Sequence, residues 1–582
     1  MKLPIGYDNF RSVIDKKLTF VDKSLLIKDF LDDEGTQVAL VTRPRRFGKT
    51  LNLSMLHHFF AAEVQGEPTK DLFKGLKIMQ QGEQYLQHQG KYPVIALSFK
   101  DIKQNSFEDS FQKLCDLFVS VYDEYGYLLD SNKVTDTQKR FIESILKREI
   151  NPPQLENALK FLTGCLFQHH DHIRPLLLID EYDTPIQAAY ASKYYDKMVN
   201  FMRGLFSAGL KDNPYLHRAM LTGILRISKE SLFSDLNNVK VYSMLNSTYS
   251  DHFGFTETEV NDLFNQAKLN TNPEQIKAWY NGYKIGNTVI YNPWSIVNCI
   301  QEQGVLKPYW VNTSDNKLVK DLLIQSSTQF KHDFELLLEG KVVEKFIDEN
   351  FVFPELQVNQ AAVWSLLLMA GYLKVVSSQE TLQGTLCQLQ IPNQEIRNLY
   401  RKIIEQWLSN GKGIEWYNQF LNDLLTGNME ELQKNLHEIM LQTISVHDLA
   451  QEPEAFYQGL MIGLTASLDK DQYEKRSNRE SGYGRYDIVI IPKNTDKLAI
   501  LLELKSVKVP KKEEDLKPQL EKAAKEALDQ IEKNKYSAEL KQRSIGDVLK
   551  IGLAFCGKEF HIESKRSSAY VAVETDTATL FK

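Results

Sequence analysis

Hydrophobic and polar positions divide the chain into an alternating front, a helical middle and a mixed tail. From residue 1 to about 255, short apolar runs alternate with segments of helical spacing. This pattern predicts an α/β domain built on a parallel sheet with helices on both faces. The apolar runs expected to form its buried strands are residues 38–41, 94–99, 176–179 and 219–224.

The middle of the chain has helical spacing interrupted by aromatic-rich loops. Residues 256–345 are expected to form a helical lid or connector, and Trp and Tyr residues in its loops are expected to pack it onto its neighbour. Base stacking is the alternative for these rings. Residues 346–445 predict a winged-helix-like and helical segment, because a helix is followed by two short strand patterns between 371 and 393.

The tail has strand patterns at 486–491 and 498–505 around a polar turn, then helical spacing from 516 to 531 and an apolar run at 548–555. This order predicts a further α/β domain in the tail. The expected domains are therefore residues 1–255, 256–345, 346–445 and 446–582.

Composition narrows the class of protein. A net charge of −6 gives no overall attraction to nucleic acid, so any such contact has to come from a local basic patch. Five scattered cysteines without a Cys-x-x-Cys pair indicate reduced thiols in the cytoplasm. No stretch approaches the ~20 apolar residues of a membrane span, so we expect no membrane contact.

Residues 43–50 read Arg-Pro-Arg-Arg-Phe-Gly-Lys-Thr between a strand pattern and a helix pattern. This is the layout of a phosphate-binding loop, although Arg43 stands where the motif has its first glycine. Lys49 is expected to reach the β- and γ-phosphates and Thr50 to hold Mg²⁺. The residues expected to contact the nucleotide here are Arg43, Arg45, Arg46, Phe47, Gly48, Lys49, Thr50 and Leu51.

A second element supports the loop. Asp180 and Glu181 end a buried strand pattern, and the predicted roles are Mg²⁺ binding for Asp180 and orientation or deprotonation of the attacking water for Glu181. Thr222, near the end of another strand pattern, is a candidate γ-phosphate sensor. Arg226 is a candidate arginine finger, with a surface or salt-bridge role as its alternative.

The tail holds a second chemical pattern. Glu503 and Lys505 lie two apart on one strand and therefore share a face, and the hairpin can bring Asp487 beside them. Two carboxylates and a lysine on one face predict a Mg²⁺-dependent phosphodiester-cleaving site, with Asp487 and Glu503 as metal ligands. Glu454 could add a third carboxylate, and Gln530 could contact the site or the substrate backbone. A solvated strand face with alternating charges is the alternative.

The chain resembles two known families. Residues 20–23, 43–50, 176–183 and 291–295 resemble the AAA-ATPase-like family of P-loop NTPases, in which an arginine-rich loop replaces the glycine-rich one. Residues 477–482, 484–487, 503–505 and 530–531 resemble the PD-(D/E)XK nuclease superfamily, with Tyr486 in place of the proline. The resemblance implies a restriction-endonuclease-like α/β fold for the tail. It also implies ATP as the nucleotide and Asp487, Glu503 and Lys505 as the nuclease triad.

The residue patterns and the two resemblances together predict a cytoplasmic bacterial ATPase coupled to a Mg²⁺-dependent nuclease, with ATP and Mg²⁺ as cofactors. The expected partner is nucleic acid, DNA before RNA, and a homo-oligomer is included because such ATPases commonly assemble. Two alternatives stay open. One is a nucleotide-dependent switch or scaffold, and the other is a nucleic-acid-binding protein with a catalytically silent nuclease fold.

Overall fold

The computed structural model of the protein describes all residues except 227–237, 311–318, 320–321, 323–327, 339, 409–413, 444–456, 458–460, 462–463, 466–467, 469–471, 482–483, 509, 511–512, 534–539, 541–542 and 569–582. The chain forms two compact units. The first comprises residues 1–322 and 340–397, and the second comprises residues 323–339 and 398–582.

The first unit is built on a five-stranded parallel sheet. Its strands are β1 (Val38–Thr42), β4 (Val94–Ser98), β5 (Leu176–Asp180), β6 (Arg218–Gly223) and β7 (Val239–Tyr242), in the order β4-β5-β6-β1-β7. Every residue of β1, β5 and β6 is buried, so both faces of the central strands are covered. This confirms the predicted parallel α/β sheet and adds β7, which was not predicted because Lys240 interrupts its apolar residues and only Tyr242 of the strand is buried.

Helices surround this sheet, and the short hairpin β2 (Glu63–Val64) and β3 (Glu67–Pro68) follows the third helix. Thr135 begins the helix at Asp136 with a capping box to Gln138, which satisfies backbone N–H groups that a helix start leaves free. The helices are α1 (Phe10–Asp15), α2 (Leu25–Asp32), α3 (Lys49–Phe60), α4 (Glu83–Leu86), α5 (Phe107–Asp123), α6 (Asp136–Leu146), α7 (Pro152–Leu155), α8 (Ala158–His169), α9 (Thr184–Ala191) and α10 (Tyr195–Phe206).

The rest of the first unit combines helices with two small antiparallel sheets. β8 (Tyr283–Ile285) pairs with β9 (Thr288–Ile290), and β10 (Val343–Ile347), β11 (Lys374–Thr381) and β12 (Gly384–Gln390) pair in the order β10-β12-β11. A helix followed by two strands, as expected between 371 and 393, is therefore present, but the second strand begins earlier than expected, at Gly384, and β10 adds a third strand. The helices are α11 (Glu257–Ala267), α12 (Pro273–Tyr280), α13 (Pro293–Gln301) and α15 (Gln360–Met369), and α14 (Thr328–Leu338), which lies between the last two in the chain, belongs to the second unit.

The second unit contains a five-stranded mixed sheet in sequence order: β13 (Tyr473–Ser481), β14 (Gly484–Pro492), β15 (Ala499–Ser506), β16 (Asp547–Cys556) and β17 (Glu559–Ser568). β15 and β16 run parallel, and the other neighbours are antiparallel. The helices are α14 (Thr328–Leu338), α16 (Gln394–Leu408, which begins in the first unit), α17 (Ile414–Thr426), α18 (Met429–Thr443) and α19 (Leu516–Lys533).

The mixed sheet is covered on both faces. Leu502 and Leu504 pack with residues of α17 and α18, while Leu501 packs on the other face with Ile531 of α19. The first six residues of β15 (499–504) are all buried, so this strand is covered on both sides. None of the helices in the described part of the chain combines the length and the apolar content that a membrane span needs.

Candidate functional site

The phosphate loop connects the end of β1 to the start of α3. Gly48 has φ +81°, which is the left-handed region that glycine occupies without steric cost, and no atom lies within 4 Å of the position that a Cβ would take. The glycine of this Gly-Lys-Thr segment is therefore required by the backbone turn rather than by crowding. The backbone N–H groups at the start of α3 are free of intrahelical partners and can bind an anion.

Lys49 is buried at the first turn of α3. Its ammonium group donates hydrogen bonds to the carbonyl oxygens of Arg43 at 3.0 Å and Pro44 at 2.9 Å. Burial lowers the pKa of Lys49, and the carboxylates of Glu181 and Asp180 oppose that shift. The loop thus holds a lysine whose charge is poorly solvated, so a phosphate group nearby would stabilise the charged form.

The Asp180 side chain connects two strands of the sheet, β5 and β6, with the first turn of α3. The Thr50 hydroxyl donates to Asp180 Oδ2 at 2.6 Å, and the Thr222 hydroxyl donates to Asp180 Oδ1. Because β6 lies between β1 and β5, it brings Thr222 directly beside the carboxylate. Burial raises the pKa of Asp180, and these two hydroxyl groups oppose the shift. A carboxylate and a hydroxyl side by side are ligands that suit Mg²⁺.

Glu181 follows Asp180 at the end of β5 with a backbone φ of +50°. A non-glycine residue in this region is uncommon, and such conformations concentrate at functional sites. Its carboxylate accepts a hydrogen bond from the Thr184 hydroxyl at 3.2 Å and is half-buried. The side chain therefore lies at the edge of the site, where solvent reaches it.

Arg226 lies in the turn after β6 and is half-buried. Burial raises the pKa of Glu349, and the Ser243 hydroxyl, which donates to Glu349 Oε1 at 3.0 Å, and the Arg226 guanidinium oppose that shift. The structure thus places Arg226 within electrostatic reach of a carboxylate in the segment after β10. This position is compatible with both roles predicted for Arg226, an arginine finger and an ion-pair partner.

Arg43 is directed into the protein, away from the open side of the loop. Its fully buried guanidinium donates to the carbonyl oxygens of Thr42 at 2.8 Å, Tyr242 at 2.8 Å and Ser243 at 3.0 Å. Its backbone N–H donates to Gly223 O at 3.0 Å. Burial lowers the pKa of Arg43 to about 9. Arg43 therefore joins β1, β6 and β7 behind the loop, and its contact with a nucleotide stays a prediction.

The other loop residues divide between exposed and packed positions. Arg45 and Arg46 are exposed, whereas Phe47 is fully buried. The Phe47 and Tyr283 rings pack edge to face, with their centroids 5.0 Å apart. The Arg46 guanidinium lies 4.5 Å from the centre of the Trp294 ring. Leu51, the third residue of α3, is half-buried at the edge of the core beneath the sheet.

Aromatic residues of the middle segment pack against this loop. Besides Trp294 and Tyr283, Trp310 donates its indole N–H to the Arg45 carbonyl at 3.0 Å. A Cβ at Gly371 would lie 2.9 Å from Pro44, so the chain after α15 also contacts the loop. The expectation that these rings serve packing agrees with their contacts, and the surface on which they pack is the phosphate loop itself.

Sequence reasoning missed Asp183 as a site residue, although it ends the same acidic segment as Asp180. Asp183 is 1% exposed, and its Oδ2 accepts hydrogen bonds from the backbone N–H groups of Ile224 and Leu225, both at 3.0 Å. The signal was a third carboxylate after an apolar strand. Its partners could not be read from the sequence because they lie 41 and 42 residues away.

The second candidate site lies on the mixed sheet of the second unit. β14 and β15 pair from Ile490↔Ile500 to Ile488↔Leu502, and Asp487 and Glu503 are the residues next to the last pair. Because side chains alternate along a strand, Asp487 and Glu503 lie on the face that carries the pair Val489↔Leu501. Asp487 Oδ2 also accepts a hydrogen bond from the Leu504 backbone N–H at 2.7 Å. The hairpin therefore brings both carboxylates together.

Glu503 is 3% exposed, and α19 covers it. The Gln530 side-chain amide donates a hydrogen bond to Glu503 Oε1. A buried carboxylate is costly unless it is hydrogen-bonded or holds a cation, and Gln530 supplies one donor. Gln530 is therefore hydrogen-bonded directly to Glu503, the candidate metal ligand.

Lys505 lies two residues beyond Glu503 on the same face and is half-buried. It forms no hydrogen bond or ion pair with any residue in the part of the chain that the structure describes. Its ammonium group is thus available to a ligand of the two carboxylates. Glu454, the predicted third carboxylate, lies outside the described residues. Two carboxylates on adjacent strands fit a hard divalent cation such as Mg²⁺, which takes few protein ligands and keeps several waters.

Gly552 explains how α19 reaches the sheet. It is the β16 partner of Glu503, and a Cβ at this position would lie 2.2 Å from the Ala524 carbonyl oxygen and 2.7 Å from the Leu528 nitrogen. The missing side chain therefore lets the helix backbone lie directly on the strand beside Glu503. The sequence contains the glycine, but it gives no indication of which helix packs on it.

Two family models match the chain. Residues 4–233 match the model described as Predicted AAA-ATPase (AAA-ATPase-like), and residues 452–565 match the PD-(D/E)XK nuclease superfamily. The first match contains the phosphate loop and Asp180, and the second contains Asp487, Glu503, Lys505 and Gln530. Both resemblances predicted from the sequence are confirmed.

Individual proteins are also similar to the chain. A protein of Azotobacter chroococcum mcd 1, described as "Uncharacterized protein in vnfD 5'region", is 27% identical over 497 residues, covering 84% of this chain and 87% of that protein. The solved "Structure of Drosophila ORC bound to AT-rich DNA and Cdc6" aligns with 68% of this chain and 91% of that chain at 10% identity and a TM-score of 0.17. A likeness this weak supports no statement about fold or ligands.

Proposed function

We propose that this chain, which joins a AAA-ATPase-like domain to a PD-(D/E)XK nuclease superfamily domain, hydrolyses ATP and cleaves phosphodiester bonds of nucleic acid with the help of Mg²⁺. DNA is the proposed substrate and the bacterial cytoplasm the proposed location. A role for the ATPase in gating the nuclease and a homo-oligomeric assembly belong to the same proposal.

In the ATPase half, the backbone of the phosphate loop and Lys49 would bind the phosphate chain of ATP. Thr50 and Asp180 would hold Mg²⁺, which neutralises the charge that develops on the phosphate oxygens. Glu181 would orient the attacking water or accept its proton, and its half-buried position leaves it accessible for this role. Thr222 orients Asp180 through its hydroxyl group.

Arg45 and Arg46 differ in what they can offer a nucleotide. The Arg46 guanidinium packs on the Trp294 ring, whereas the exposed Arg45 side chain is directed to solvent beside the loop. Arg45 is therefore the better candidate for a direct contact with phosphate oxygens. Pro44 lacks an N–H group, so a guanidinium at the next residue would replace a backbone donor that the loop does not have.

In the nuclease half, Asp487 and Glu503 would hold Mg²⁺, which lowers the pKa of a bound water and polarises the phosphate. Lys505 would stabilise the attacking water or the negative charge on the phosphate oxygens. Gln530 keeps the Glu503 carboxylate in place by donating to one of its oxygens.

One observation supports the nuclease proposal more than any other. Asp487, Glu503 and Gln530 come from two strands and a helix, and the fold brings them to one location through hydrogen bonds at Leu504 and Glu503. A solvated charged strand face needs no such convergence, and it does not bury a glutamate to 3% exposure. Burial of the acid with a dedicated amide donor is instead typical of a built metal site.

The test separates the two activities in the full-length protein. Wild-type chain with Mg²⁺ is incubated with single- and double-stranded DNA and RNA, with and without ATP, and both cleavage and phosphate release are measured. Lys49→Ala is expected to abolish ATP binding, and Asp487→Ala is expected to abolish cleavage while ATP hydrolysis continues. Glu521→Ala, which removes an exposed carboxylate of α19 outside the site, is the matched control for the acid-to-alanine change.

The outcomes also distinguish the two alternatives. Very slow ATP hydrolysis with a large ATP-dependent change in oligomeric state would favour a switch or scaffold over an enzyme. Nucleic-acid binding that persists in EDTA, without cleavage in Mg²⁺, would favour a silent nuclease fold. Either result would contradict the proposal for the corresponding half of the chain.

A further inference from the structure

The acidic segment at the end of β5 holds the turn after β6 through several hydrogen bonds. Asp183 Oδ2 accepts the backbone N–H groups of Ile224 and Leu225 at 3.0 Å each, together with the Gln187 side-chain amide at 2.7 Å. Three donors on one buried carboxylate oxygen fix both the carboxylate and the turn. None of these residues has a role in the phosphate chemistry described above.

Tyr182 holds the same turn from a second direction. Its hydroxyl donates to the Leu225 carbonyl at 2.6 Å, and its backbone N–H donates to the Thr222 carbonyl at 3.0 Å. The turn is therefore bound at residues 222, 224 and 225 by two consecutive residues of the β5 segment. We call this set of contacts the turn clamp: Tyr182 and Asp183 on one side, residues 222–225 on the other.

Gly223 lies inside the turn clamp and allows this close approach. A Cβ on Gly223 would lie 2.6 Å from the Tyr182 ring and 2.8 Å from Asp183 Oδ1. Contacts below 3.0 Å between such atoms are not tolerated without movement, so any side chain at this position would push the turn away from β5. Gly223 and Asp183 therefore both keep the turn after β6 close to the end of β5. Gly223 does so by lacking a side chain, and Asp183 does so through its three hydrogen bonds.

The turn clamp joins the two ends of the ATPase site. On one side, Thr222 donates to Asp180, the proposed Mg²⁺ ligand. On the other side, the next residue after the clamped turn is Arg226. Fixing residues 222–225 to the segment that begins at Asp180 thus fixes the distance between the metal carboxylate and the arginine. Small errors in such a distance are costly, since a ~1 Å misplacement can lower a rate ~100-fold.

We propose that Asp183 is a positioning residue for ATP hydrolysis, which holds the turn after β6 so that Arg226 reaches the transferred phosphoryl group. This inference rests on the proposed ATPase function and adds to it a residue outside the phosphate loop and the Mg²⁺ ligands. Asp183 does not touch the nucleotide. It acts through the backbone that carries Arg226, and Tyr182 and Gly223 support it.

A double-mutant cycle tests this inference in the full-length protein. Arg226→Ala is expected to lower kcat ~1000-fold, the lower range for an arginine finger, and Asp183→Ala is expected to lower kcat ~100-fold with KM within about threefold of wild type. Adding Asp183→Ala to Arg226→Ala is expected to cause no further loss, because the clamp acts through the arginine. Additive losses would overturn the proposal.

The conservative variant separates positioning from general stability. Asn can place a side-chain oxygen where Asp183 Oδ2 accepts its backbone donors, so Asp183→Asn is expected to recover at least a tenth of the wild-type kcat. Asp196→Ala, which removes an exposed carboxylate at the start of α10, is the control and should leave kcat unchanged. If Asp183→Ala does not fold, Tyr182→Phe replaces it in the cycle with the same expectation of non-additivity.

Hydrogen exchange gives a readout that does not depend on turnover. The amides of Ile224 and Leu225 are expected to be protected in wild type and to exchange at least tenfold faster in Asp183→Ala, with the β1 amides unchanged. A wild-type protein that does not hydrolyse ATP would contradict the proposed function. The hydrogen-exchange measurement would still test the turn clamp in that case. Equal protection in wild type and Asp183→Ala would overturn the inference whatever the ATPase result.

Discussion

Gly552→Ala is expected to disable the nuclease site without touching any of its functional side chains. The new Cβ would lie 2.2 Å from the Ala524 carbonyl oxygen, 2.7 Å from the Leu528 nitrogen and 3.2 Å from the Ala527 Cβ. Non-bonded atoms pack at about 3.5 Å, so the helix α19 has to move outward by about 1 Å. The atoms in contact are mainly helix backbone, which cannot rotate away as a side chain would.

The magnitude follows from this displacement. Inserting a methyl group into a packed interior costs about 1–3 kcal/mol of folding free energy. Gln530 is carried on the displaced helix, and its hydrogen bond to Glu503 would lengthen by a similar amount. Since a ~1 Å misplacement can lower a rate ~100-fold, the Mg²⁺-dependent cleavage rate should fall by about two orders of magnitude, whereas ATP hydrolysis should not change.

The assay combines cleavage at several Mg²⁺ concentrations with denaturant unfolding. Gly557→Ala is the matched control, because Gly557 has φ +62° in the turn after β16 and no atom lies within 4 Å of its Cβ position. That substitution costs about 1–2 kcal/mol through backbone strain but does not displace α19. A folded Gly552→Ala protein that cleaves at the wild-type rate would refute the idea that α19 has to lie this close to Glu503.

The remaining predictions concern the ATPase half. Arg43→Met should lower the free energy of unfolding by about 3 kcal/mol, measured by denaturant titration, because buried carbonyl groups lose a charged donor. Arg45 is exposed, so Arg45→Ala should leave the stability unchanged. It should weaken ATP binding about tenfold, measured by calorimetry. Burial raises the pKa of Asp180, so the folded protein binds this proton more tightly than the unfolded chain. In EDTA, the Asp180 contribution to stability therefore falls as pH rises from the ordinary carboxyl range through the raised pKa, and the loss persists at neutral pH. Asp180→Asn should remove this loss and raise the unfolding free energy at pH 7 more than at pH 4, while ATP hydrolysis disappears; equal stability of the two proteins at pH 7 would contradict this.

The sequence predicted the elements whose pattern is local. The apolar runs that form β1, β5 and β6 are buried on both faces, and such runs are recognisable without any knowledge of their neighbours. The hairpin of β14 and β15 was equally readable, because residues two apart on a strand share a face. Placing Glu503 and Lys505 together followed from that spacing alone.

Features that depend on distant partners were not predictable. Arg43 occupies a motif position, yet no local pattern tells that its guanidinium is directed toward β7 about 200 residues away. The contacts of Trp294 and Trp310 with the phosphate loop similarly depend on how the middle segment folds back. The same holds for Asp183, whose backbone partners belong to another strand. In each case the residue type indicated a special role, but the sequence did not indicate which residue it would contact.

The most direct test of the central claim is Mg²⁺-dependent cleavage by wild type and by Lys505→Ala, measured on labelled single- and double-stranded nucleic acids. Wild type should cut at least one substrate in Mg²⁺ and none in EDTA. Lys505→Ala should keep its divalent-ion affinity, since Asp487 and Glu503 remain, and lose cleavage by at least 100-fold. Cleavage by Lys505→Ala at the wild-type rate, or no cleavage of any substrate by the wild type, would contradict the account.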